Sequence, residues 1–125
     1  MTVPKTSIVK TFSPSLRTHD IVTLQGDLDA ATAPALRERL FAMLRPGMKL
    51  LILDLSAVSF CDAAGLAVLI GAQRRAQMLG ITVQLTSLRP QIAKVMHVTG
   101  LDRSFTTHRT PTDAIHAQPA YAAMV

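Results

Sequence analysis

Tryptophan is absent from the 125-residue chain, and four phenylalanines with one tyrosine supply only 4% aromatic content. A core built from this sequence must be mostly Leu, Val, Ile, Ala and Met. Cysteine occurs once, at Cys61, which excludes an internal disulfide and a zinc cluster made of cysteines. Glutamate also occurs once, as Glu38, and the shortage of acids contributes to a net charge of +5 and a pI of about 10.2. No run approaches the roughly 18 apolar residues needed to cross a membrane. The opening MTVPKTSIVKTF lacks the apolar core of a secretory signal. A cytoplasmic protein with no membrane contact is the expectation.

Thirteen Lys and Arg side chains against eight acids raise the question of nucleic acid. Their placement argues against it. They are spread along the chain, the only adjacent pair is Arg74–Arg75, and no aromatics are interleaved for base stacking. A solvated basic surface accounts for the charge, and no direct nucleic-acid partner is expected. His19, His97, His108 and His116 lie far apart with no i, i+4 pair, so neither a metal nor a cofactor is expected. The 49% hydrophobic and 17% charged content is that of a folded protein. The length suits a single domain with one core.

Apolar runs over 7–12 and 20–25, joined through Pro14 and Ser15, read as an antiparallel strand pair. Thr32 before Ala33-Pro34 offers a cap and an early proline for a first helix. Leu36, Leu40, Met43 and Leu44 then recur at helical spacing until Pro46-Gly47 stops it. KLLILDLS, nearly continuous in apolar residues, reads as a strand buried on both faces. A second helix runs from Ala63 to about Leu79, and Gly80 ends it. ITVQLTSL alternates as a strand, RPQIAKVMHVTGL forms a third helix closed at Gly100, and 104–107 form a short last strand. A modest helical pattern covers 113–117. Such alternation with short connections predicts an α/β fold, its central sheet of four to five strands packed by helices. The domain is expected to span 1–125 with its core at 8–107 and a loosely ordered tail at 110–125.

In open α/β sheets, sites form beyond the carboxyl ends of the strands. Two loops should reach that edge: Gly26-Asp27-Leu28-Asp29 and Cys61-Asp62-Ala63-Ala64-Gly65. The second opens into a helix whose first N–H groups favour an anion. Plainer roles stand beside this one. Asp62 suits an N-cap, Asp27 and Asp29 suit a tight turn, Asp54 suits local capping, and Cys61 suits a small core residue. Ser56 and Ser59 read as turn residues, with phosphate acceptance as the sharper alternative. No nucleophile–base pair, phosphate-cradling glycine loop or paired catalytic carboxylates can be made out, so the chain is not expected to be an enzyme.

GDLDAATAPALRERL, LILDLSAVSFCDAAGLAVLIGAQRRAQMLG and IAKVMHVTGLDRSF, in this order, resemble a STAS domain of the anti-sigma factor antagonist type. The resemblance covers roughly 8–107 and implies the STAS fold, with a mixed sheet. It implies a partner: an anti-sigma factor, a kinase-like ATP-binding protein, whose capture releases a sigma factor for transcription. Regulated members carry Asp-Ser-Ser-Gly or Asp-Ser-Thr-Gly at the second loop, and the partner kinase phosphorylates the first hydroxyl residue. Asp62 and Gly65 match that pattern. Ala63 stands at the phosphoacceptor position, and Ala64 replaces the second hydroxyl. The resemblance thus implies partner contacts from Asp27, Asp29, Asp62, Ala63, Ala64 and Gly65, on a platform whose switch is missing. A constitutive antagonist is one consequence. A changed partner, regulation from another residue, or a small-ligand or nucleotide-binding sensor or scaffold are others, and homodimer formation is left open.

Overall fold

The computed structural model describes residues 6–12, by their backbone, and residues 18–119. Among these described residues, five strands form one sheet: β1 (Thr6–Phe12), β2 (His19–Leu28), β3 (Leu50–Cys61), β4 (Thr82–Thr86) and β5 (Thr106–His108). Their spatial order follows the sequence. β1 runs antiparallel to β2, and the other neighbours are parallel. Parallel neighbours need crossovers. These are supplied by α1 (Ala33–Met43), by α2 (Ala63–Met78), and by α3 (Pro90–Val98) with one 3₁₀ turn at Leu101–Arg103. The expected mixed α/β sheet is present. The expected turn at Pro14 and Ser15 lies outside the described residues.

β3 is the centre of the sheet. Residues 50–53 are all buried, because β2 and β4 flank them and helices cover both faces. Leu51, Leu53 and Leu55 join Leu36 and Leu40 of α1, Leu66, Leu69 and Ala72 of α2, and Ile92 and Met96 of α3 in the main core. Leu50 and Ile52 face the other way and meet Ala114 and Ile115. These belong to α4 (Pro111–His116), so part of the tail expected to be loose instead closes the second face of the sheet. Thr110 caps α4, its hydroxyl accepting from Asp113 N at 3.1 Å. Residues 120–125 lie outside the described residues.

Gly80 and Gly100 take φ of +73° and +78°, the left-handed turns that end α2 and α3. At the amino end of β2 the buried Asp20 accepts from Arg45 Nη1 at 2.7 Å, tying the strand to the turn after α1.

Candidate functional site

Beyond residue 54, β3 leaves β4 behind and continues beside β2 alone. This extension carries the two candidate loops to one edge. Asp27 pairs with Phe60 and Leu28 with Cys61, and the ladder closes with Asp62 N donating to Leu28 O at 3.0 Å. The loops are therefore adjacent through the backbone itself.

Gly65 permits this closeness. A Cβ there would lie 2.6 Å from Leu28 Cβ and 2.8 Å from its carbonyl carbon, with the carbonyl oxygen nearer still. Only a residue without a Cβ lets the first turn of α2 rest on the end of β2.

Asp62 holds that turn in place. Its backbone is extended (φ −99°, ψ −172°), and Oδ1 accepts from Ala64 N at 2.9 Å and Gly65 N at 3.1 Å. The cap satisfies two of the helix's first amides with one carboxylate oxygen. It also fills the place an anionic ligand would take at this terminus. Asp62→Ala should cost about 1 kcal/mol, a Tm fall of roughly 4 °C by calorimetry. Asp62→Asn should recover most of it, because an amide oxygen caps as well.

Thr32 stands at the N-cap position of α1, as expected, but its side chain accepts from none of the helix's first amides, and Asp29 holds the turn before the helix. Asp29 Oδ1 accepts from Ala31 N at 2.9 Å and Thr32 N at 3.0 Å. Thr32 Oγ1 instead folds back on the loop, accepting from Asp29 N at 3.0 Å and donating to Asp27 O at 2.9 Å. The cause is local: Thr32 adopts helical dihedrals (φ −94°, ψ −19°), which direct its hydroxyl away from the amides a cap would reach.

The two alanines differ in setting. Ala63 is exposed at the first position of α2, whereas Ala64 is half-buried. Ala64 lines a groove of about 380 Å³ between α1 and α2, with Ala33, Pro34, Arg37, Ala67 and Val68. The Arg37 guanidinium lies over the Phe41 ring, 4.8 Å from its centroid. Another hollow, of about 480 Å³, lies by the ends of β4 and β5 and contains none of the expected site residues.

Cys61 is buried, and burial, with the neighbouring Asp62 charge, pushes its thiol up to about 11. At neutral pH it is a protonated core side chain rather than a nucleophile. Asp54 caps locally, accepting from Ser56 N at 3.0 Å. Ser56 and Ser59 are exposed. Their carbonyls accept from Arg89 Nε at 2.8 Å and Gln91 Nε2 at 3.3 Å, which staples the start of α3 to the extension of β3. Among the described residues, no three His, Cys, Asp or Glu side chains come together as a metal site requires.

Phe60 was missed by pattern reasoning. The β2–β3 register slips twice, between Thr23 and Gln25 and between Gly26 and Asp27, and each slip places one extra residue in β3. Phe60 emerges 50% exposed at the edge shared by the two loops. A strand followed directly by a capped helix was the only signal available, and it carries no count of bulges.

Known proteins share this fold and sequence pattern. The sequence pattern of the STAS domain matches residues 13–114. The chain is 32% identical over 80 residues to the anti-sigma-B factor antagonist of Bacillus subtilis, covering 64% of this chain and 72% of that one. With the anti-sigma-F factor antagonist RsfB of Mycobacterium tuberculosis, identity is 29% over 98 residues, covering 76% and 77%. The crystal structure of an anti-sigma factor antagonist from Mycobacterium paratuberculosis superposes with a TM-score of 0.75 at 28% identity, over 94% of this chain and 97% of that one. Fold and sequence agree, and the chain belongs to the STAS domain family, alongside relatives that are anti-sigma factor antagonists.

Proposed function

We propose that this protein is an anti-sigma factor antagonist acting in the cytoplasm, a binding module rather than an enzyme. It captures a kinase-like, ATP-binding anti-sigma factor and so frees a sigma factor. Docking uses the edge formed by Asp27, Asp29, Asp62, Ala63, Ala64 and Gly65. The observation that carries the reading is Ala63, exposed at the first position of a helix capped by Asp62. A methyl group is neutral and close in size to an unmodified serine side chain, and it offers no oxygen for phosphoryl transfer. The antagonist therefore stays in its binding-competent form when its partner holds ATP. The sensor reading, with a ligand anion at the start of α2, is disfavoured because Asp62 already accepts from the amides of Ala64 and Gly65.

Incubated with ATP and its anti-sigma partner, the protein should gain no phosphate by mass spectrometry, and the complex should persist. Ala63→Ser should accept phosphate and be released. Ala63→Glu should bind at least about tenfold more weakly, since a charge beside Asp62 must be desolvated at the interface. Full binding by Ala63→Glu would place the partner elsewhere. Phosphate on Ser56 or Ser59 with loss of binding would mean that the switch has moved.

A further inference from the structure

The end of β3 turns a phenylalanine outward where strand alternation would bury it. Leu51, Leu53 and Leu55 face the main core, and after the first slip so does Val58. Side chains alternate faces with a period of two, so position 60 is next in line for the core. The second slip intervenes. Ser59 has no partner on β2, Cys61 turns inward at 6% exposure, and Phe60 turns outward at 50%. Bulges re-aim side chains in this way at sheet edges and beside functional sites. A chain with only 4% aromatic residues has here kept a phenyl ring out of its core.

The geometry points to Phe60 as the anchor by which the protein docks on its anti-sigma partner, entering an apolar pocket rimmed by Lys or Arg. This rests on the function proposed above. The chemistry of the pocket follows from what surrounds the ring. Asp27 stands directly opposite Phe60, and Asp29 and Asp62 lie on the two loops it adjoins, so three of the chain's eight acids gather at this edge of a protein of net charge +5. A partner surface of the opposite sign is steered to it, and a buried aromatic at the centre of an interface is where binding energy concentrates. Among the described residues, the other large exposed apolar side chains, Met78, Leu79 and Val98, sit at the carboxyl ends of α2 and α3, away from these acids.

The test is calorimetric titration of the unmodified protein, Phe60→Ala and Val98→Ala against the purified anti-sigma factors of the source organism. Phe60→Ala should bind at least about 30-fold more weakly. Val98→Ala should bind within twofold of the unmodified protein, and the Tm of both should stay within about 2 °C. Binding by Phe60→Ala within about threefold would overturn the anchor and leave the antagonist reading standing. Failure of the unmodified protein to bind any of these factors would overturn both. Hydroxyl-radical footprinting of the unmodified complex reads the same ring without mutation. Phe60 should lose oxidation on binding, and unchanged oxidation would overturn the anchor even if the variant unfolds.

Discussion

Leu53→Asp should abolish cooperative folding at room temperature, leaving aggregated or proteolysed protein. Leu53 is fully buried on β3, paired with Val22 on one side and Leu85 on the other, both buried themselves. Losing its burial costs about 2–3 kcal/mol, and an unpaired carboxylate in its place adds several more. That sum rivals the roughly 5–15 kcal/mol that stabilises a whole domain. Burial would raise the carboxyl's pKa in the folded state, so the penalty is fully present above that pKa and eases as pH falls. Ser56→Asp, the same change at an exposed position of β3, should move Tm by no more than about 2 °C. Circular dichroism melts decide between the outcomes. A normal melt for Leu53→Asp would remove β3 from the centre of the fold.

A single added methyl group at Gly65 should have the second-largest effect. In a helix alanine ordinarily stabilises relative to glycine by up to about 1 kcal/mol. At Gly71 nothing opposes that gain, since the nearest atom to a new Cβ would be Phe41 Cζ at 3.8 Å. Gly71→Ala should therefore raise Tm by a few degrees, on the order of 2–4 °C. At Gly65 the new Cβ meets the backbone of Leu28, which cannot rotate aside as a side chain would. Either α2 lifts or the end of β2 moves, and the Asp62 N to Leu28 O bond is strained in both cases. Overpacking of this kind costs about 1–3 kcal/mol beyond the helical gain, a Tm loss on the order of 5–10 °C. Partner binding should also fall at least about tenfold below the melting range, because the two loops no longer share one edge. A Gly65→Ala protein with raised Tm and intact binding would show that the close approach is not needed.

Much of the fold is legible in the sequence where the cause is local. KLLILDLS declares a buried strand because both of its faces must be apolar, and residues 50–53 are buried. Asp62 declares a cap because its carboxylate need reach only two and three residues ahead, to Ala64 and Gly65. Cys61 before a helix start is ambiguous in sequence, and its burial resolves it as core. Reasoning from pattern was less successful at the first helix. Thr32 stands at the cap position, but whether its hydroxyl reaches the helix amides depends on the dihedrals that the loop imposes. The helical pattern at 113–117 hinted at α4, but its apolar pair is too small to show that it covers Leu50 and Ile52.

The sequence by itself determined the order of strands and helices, the central buried strand, the capped turn into α2 and the loss of a hydroxyl at position 63. Each of these depends on residue type and on neighbours a few positions away. Only the tertiary structure decided that Gly65 must accept the end of β2, that Thr32 turns its hydroxyl back on the loop before α1, and that Phe60 faces outward while Cys61 faces the core. The register of β3 against β2 sets two of these, and it joins residues far apart in the chain: Asp27 meets Phe60 only because two extra residues are accommodated along the way. One fewer slip would exchange the faces of Phe60 and Cys61 without changing a single amino acid.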